Sequence, residues 1–146
     1  MATATKSVSP AREAQQLFFE IGMVQRQRVG AALAEVGLTF SQAHALRLLD
    51  PDHPTPMSAL AGRLFCDASN VTGIADRLES RELIERRPVE DDRRVKGLVL
   101  TPAGVRMRDQ VHELMSEPAA AFIALPAADQ RTLRDILRRA VANLSE

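Results

Sequence analysis

Residues Cys66–Gly104 read CDASNVTGIADRLESRELIERRPVEDDRRVKGLVLTPAG, and a change of period inside this stretch decides the fold. In its first part Val71, Ile74, Ala75 and Leu78 recur at helical spacing. Asp67 stands where an acceptor side chain caps a helix N-terminus. After Leu83 the texture changes to two short β-compatible runs, LIERR and GLVL, joined by a loop of about nine residues. That pattern predicts a hairpin. Thr101 and Pro102 restart a helix, a cap followed by proline at the first helical position.

Upstream, Pro56 suits a first helical position with Thr55 as its cap. Met57, Leu60, Ala61 and Leu64 then fall at i, i+3, i+4 and i+7, a short amphipathic helix that ends near Cys66. Two short helices separated by a tight turn make a helix-turn-helix. DPDHPTP, residues 50–56, breaks the chain before them with three prolines. TFSQ, residues 39–42, offers a capping box of Thr39 with Gln42, opening a helix to about Leu49. From Ala11 to about Val36 a stripe of Ala14, Leu17, Phe18, Ile21 and Val24 predicts a long helix that Gly37 terminates.

Downstream, Val105, Val111, His112 and Met115 lie on one helix running toward Pro118. A last helix aligns Leu133, Ile136, Leu137, Ala140, Val141 and Leu144. The fold class is therefore mainly α with a small β-hairpin, in the order of a winged helix-turn-helix.

Composition sets the bounds. A chain of 146 residues with 45% hydrophobic content fits one globular domain with a real core. Residues 1–10 read as a flexible tail, without the apolar centre of a signal peptide. No apolar run is long enough to span a bilayer, and a cytoplasmic protein is expected. Cys66 is the only cysteine, which excludes an internal disulfide or a cysteine-cluster metal site. Neither a metal nor a cofactor is expected. A net charge of +0 argues against a general nucleic-acid coat protein, yet leaves room for a local basic face. Arginine supplies almost all the positive charge, since lysine occurs only at Lys6 and Lys96. Its planar, bidentate donors suit phosphates and guanine edges.

Ser69, Asn70, Thr72, Gly73, Asp76 and Arg77 fall opposite the apolar side of the helix that Asp67 caps. Small polar residues near a helix N-terminus let the backbone approach base edges, where Asn and Ser hydrogen-bond. Arg77, about two turns along, can reach a phosphate.

At this point the stretch resembles the MarR family of bacterial transcriptional regulators. The recognition-helix pattern SNVTG with DRL, the LIERR strand, the DDRR wing tip and the LTPAG restart carry the likeness together. The resemblance implies a single domain over 11–146, with a winged helix-turn-helix lobe at about 39–100 and dimerisation helices at 11–36 and 101–146. It implies a homodimer that binds double-stranded, near-palindromic DNA operators as a repressor. Many members release DNA on binding a small phenolic or other lipophilic effector. The resemblance also makes Asp92 the residue that braces the wing arginines, Arg94 the minor-groove probe and Arg93 a second contact. Glu82 departs from the pattern, standing where the family usually has glycine in a left-handed turn.

Phe18, Phe19, Met23, His44, His112 and Met115 are candidate lining for an apolar effector pocket, with core or dimer contacts as the plainer reading. The three histidines, His44, His53 and His112, are too scattered for a metal motif. Cys66 in the inter-helix turn reads as a packing residue. Neither nucleophile-and-base motif nor phosphate loop is visible, and no enzymatic activity is expected. The rival reading is a winged-helix module that docks another protein and does not bind DNA.

Overall fold

Leu33, Leu46, Leu60, Val71, Leu78, Ile84, Leu98 and Val111 are fully buried and meet in one core, and the elements that carry them follow from that convergence. The computed structural model describes residues 9–145. Of the tail expected over 1–10, residues 1–8 lie outside the described residues, and Pro10 already begins a helix. The elements in order are α1 (Pro10–Glu35), α2 (Phe40–Leu48), β1 (Thr55–Pro56), α3 (Met57–Leu64), α4 (Ala68–Ser80), β2 (Ile84–Val89), β3 (Asp92–Leu100), α5 (Pro102–Ser116), α6 (Ala120–Ile123) and α7 (Ala127–Ala142), with a 3₁₀ turn at Asn143–Ser145.

These elements form two compact units. Arg28–Ser116 is the winged helix-turn-helix unit; the described parts of Met1–Gln27 and Glu117–Glu146 form the other. The winged unit is wider than the expected 39–100, taking in the end of α1 and all of α5. The reason is packing: Val29 and Leu33 of α1 and Val111 of α5 are buried in its core.

Local signals in this unit act as read. Gly37 adopts φ 72 after α1. The Thr39 hydroxyl accepts from the Gln42 backbone N–H at 3.3 Å, and the Gln42 side chain accepts from the Thr39 N–H at 3.0 Å, closing the capping box. Arg81 adds a second lock, donating to the carbonyls of Gly37 at 2.6 Å and Val36 at 3.0 Å.

Three local expectations need correction. Thr55 does not cap α3; it is buried in β1, opposite Leu98, and its hydroxyl accepts from the Asp50 N–H at 3.3 Å. The hairpin is therefore part of a three-stranded antiparallel sheet in the order β1-β3-β2. The loop of about nine residues also closes up, because β2 and β3 stay paired as far as Val89 opposite Asp92. Only Glu90 and Asp91 remain as the turn.

A knot of close contacts joins the turn between α4 and β2 to the junction of β3 and α5. Glu82 takes φ 57, the left-handed region that glycine favours. Its carbonyl accepts from the Thr101 hydroxyl at 2.6 Å, while the Leu83 carbonyl accepts from the Thr101 N–H at 3.1 Å. The Thr101 hydroxyl in turn accepts from the Gly104 N–H at 2.9 Å. Gly104 sits so close that an added Cβ would lie 1.8 Å from the Leu83 oxygen. The LTPAG motif is thus a close helix-to-turn contact, and only glycine fits its last position.

In the terminal unit α7 has an apolar stripe but no buried residue. Together with α6 it lines an apolar groove of about 600 Å³ that includes Phe122, Ile123, Leu133, Leu137 and Val141.

Candidate nucleic-acid interface

Helix α4, the expected recognition helix, is anchored by its apolar side, with Val71, Ala75 and Leu78 buried. Asp67 caps it, accepting from the Asn70 N–H at 3.0 Å and the Ser69 hydroxyl at 2.8 Å. Those donors, the Asn70 N–H first, hold the Asp67 carboxyl below the usual carboxylate range. The Thr72 hydroxyl donates to the Ala68 carbonyl at 2.9 Å. Ser69 and Thr72 therefore spend their hydroxyl protons inside the helix and present acceptor lone pairs outward. The Asn70 amide and the Arg77 guanidinium have no side-chain partner among the described residues.

Ser69, Asn70, Gly73 and Arg77 line one concavity of about 220 Å³ with Gln42 of α2 and its cap residue Thr39. Thr72 is exposed but lies outside that lining. An added Cβ on Gly73 would meet nothing within 4 Å, so the glycine leaves α4 open on this side.

The wing sorts its arginines into two kinds. Arg86, half-buried on β2, donates to Asp76 at 2.5 Å and to Glu79, both on α4. Asp76, ahead of Glu79, holds the Arg86 guanidinium more firmly protonated than usual. This clamp was missed from the sequence. Its visible trace is two acids three residues apart on one helix side, which leave a matching place for a cation. Arg87 pairs with Glu85 at 2.8 Å along its own strand.

Arg93 and Arg94 are exposed and make no ion pair among the described residues. They lie in a bulge of β3: along β2 the partner steps from Lys96 at Pro88 to Asp92 at Val89, which leaves Arg93, Arg94 and Val95 unmatched. A bulge re-aims side chains out of the ladder. Asp92 acts differently from the expected brace. Its carboxylate accepts from the Arg94 backbone N–H at 2.9 Å, so it holds the main chain of the bulge and not a guanidinium. Glu90 and Asp91, the acids inside this basic segment, form the turn and pair with no arginine among the described residues.

The residues expected to line an effector pocket divide between the units. Phe18, Phe19 and Met23 are exposed in the terminal unit. In the winged unit, His112 lines a polar cavity of about 330 Å³ with Arg47, Arg108 and Asp109. Met115 is half-buried and its sulfur lies 3.8 Å from an Arg47 donor. His44 is exposed and does not line that cavity, so it does not meet His112 there. Cys66 is partly buried against the core, as a packing residue in the turn would be. Among the described residues no group of three or more His, Cys, Asp or Glu side chains could hold a metal ion. No described helix is long and apolar enough to cross a membrane.

Helix, turn, recognition helix and paired wing define a winged helix-turn-helix protein. The family comparison agrees: residues 38–96, the segment carrying the helix-turn-helix and wing, match the model of the MarR family. Solved structures extend the likeness over most of the chain. A mutant of MepR from S. aureus superposes with a TM-score of 0.78 at 21% identity, over 89% of this chain and 97% of that one. A mutant of MarR from E. coli gives 0.77 at 22% identity, over 93% and 99%. A further S. aureus MepR mutant, bound to an oligodeoxyribonucleotide, gives 0.65 at 20% identity, over 90% and 97%. No curated protein matches the sequence.

Proposed function

We propose that this protein is a homodimeric, sequence-specific DNA-binding transcriptional regulator, a cytoplasmic repressor without catalytic activity. The observation that carries the reading is the division among the arginines. Arg86 and Arg87 are neutralised by acids, whereas Arg77, Arg93 and Arg94 stand exposed without ion pairs among the described residues. Uncommitted guanidiniums at a recognition helix and a wing tip are what phosphates and a narrow minor groove require. Ser69, Asn70, Thr72 and Gly73 then meet base edges in the major groove, Arg77 meets phosphate, and Arg93 and Arg94 enter the minor groove. The likeness to MepR, one form of which was solved with an oligodeoxyribonucleotide, supports the same reading.

The partner copy follows from surface chemistry. Leu17, Phe18, Phe19, Met23 and Val24 of α1 and Ile136 and Val141 of α7 are exposed. A soluble monomer rarely leaves so many large apolar side chains in water. A second copy offering the same helices would cover them isologously. Two recognition helices about one DNA turn apart would then read a pseudo-palindrome. A small lipophilic or phenolic effector would release DNA by favouring one spacing of the two lobes.

The test is selection of bound duplexes from a random pool. The expected result is an inverted repeat, with half-sites about one turn apart. If no motif emerges even at low salt, the DNA-binding reading fails and the protein-docking winged helix takes its place.

A further inference from the structure

Phe65 occupies the turn between α3 and α4 and is 97% exposed, more than any other large hydrophobic residue among those described. It also adopts φ 52 and ψ 40, the left-handed region, as the C-cap of α3. A bulky residue there is an outlier, because its Cβ crowds the following carbonyl oxygen. Glycine would end α3 without that strain and without a ring in water. The core makes no use of the ring: Leu64 and Cys66 on either side pack against it, and Phe65 does not. A strained and unburied side chain has its reason outside the folded monomer.

Its place says what that reason is. Phe65 lies two residues before the Asp67 cap, at the end of α4 that bears Ser69 and Asn70. In helix-turn-helix docking this end of the recognition helix faces base edges. A phenylalanine there cannot hydrogen-bond to a base; its apolar match in the major groove is the thymine 5-methyl group. We infer that Phe65 is a specificity residue that packs on a thymine methyl at one position of each half-site. The inference rests on the DNA-binding reading above and adds a base preference that the polar residues of α4 do not supply.

The experiment selects duplexes with wild type, Phe65→Gly and Phe65→Asn in parallel, and records thermal melting of each. Asn, like Gly, tolerates the left-handed region, so both variants keep the turn. The expected result is that wild type enriches thymine at one position per half-site. Both variants should keep the inverted repeat but lose that thymine, and Phe65→Gly should melt no lower than wild type. Replacing the thymine by deoxyuridine, which removes only the methyl, should weaken wild type about fourfold and leave the variants unchanged. If wild type enriches a repeat and both variants enrich the same one, thymine included, Phe65 does not read a base and the ring belongs to some other contact. If wild type itself enriches nothing, the DNA-binding reading falls first, and the assignment of Phe65 falls with it.

Discussion

Replacing Gly104 by alanine is a sharp test of how the wing is attached. The new Cβ would lie 1.8 Å from the Leu83 carbonyl oxygen and 2.9 Å from its carbon, well inside the 3.0 Å that real Cβ atoms keep. Both neighbours are main chain, and the oxygen already accepts from the Thr101 N–H. Relief requires α5 to move by about 1 Å away from the turn, which strains the Thr101 hydrogen bonds to Glu82 and Leu83 as well. Overpacking of this kind costs about 1–3 kcal/mol, and a backbone neighbour puts the cost near 3. For a chain of this size that lowers the melting temperature by about 10 °C. Gly73→Ala is the control, since its Cβ meets nothing within 4 Å. In a helix interior that change should add about 0.5–1 kcal/mol of stability. Urea unfolding of the two variants beside wild type reads both effects. A Gly104→Ala protein as stable as wild type would refute the close contact and the account of the LTPAG motif built on it.

Other predictions follow from single contacts. Glu82→Gly should raise stability by about 1 kcal/mol by relieving the left-handed strain at φ 57, as urea unfolding would show. Thr39→Ala should lose about 1 kcal/mol by opening the capping box of α2, read by the same method. The Asp67 carboxyl is held below its ordinary value by the Asn70 N–H and the Ser69 hydroxyl. Its stabilisation is therefore fully present above the unfolded-state value and is lost as pH falls through the lowered folded-state value. Acid titration of stability should show this loss below about pH 4 in wild type and not in Asp67→Asn. Gly73→Ala, although more stable, should bind operator more weakly, because its methyl stands where α4 is otherwise open.

Much of this architecture was legible because its signals are local. The Thr39–Gln42 box, the glycine after α1, the cap at Asp67 and the helical spacing of Val71, Ala75 and Leu78 each sit within a few residues of what they control. The wing was legible as two strands but not in extent, since charged residues hide the alternation between Pro88 and Lys96. The strand at Thr55–Pro56 was hidden because it is two residues long and surrounded by prolines, which read as a break. Of the candidate DNA-binding residues, Ser69, Asn70, Gly73 and Arg77 share one concavity. The Arg86 clamp spans the gap between β2 and α4, and periodicity cannot see a pairing of that kind. Phe65 was missed for a different reason: a left-handed turn is normally announced by glycine, and here it is not.

The central claim is that unpaired arginines meet DNA while paired ones serve the fold. The direct measurement is operator affinity against salt concentration for wild type, Arg94→Ala and Arg87→Ala. Each cation withdrawn from the phosphates' field, in a narrow minor groove as at a phosphate itself, lowers the slope of log affinity against log salt by about 0.9. Arg94→Ala should show that decrease, and Arg87→Ala, whose guanidinium is held by Glu85, an unchanged slope. Equal slopes for wild type and Arg94→Ala, or a decrease confined to Arg87→Ala, would contradict the claim.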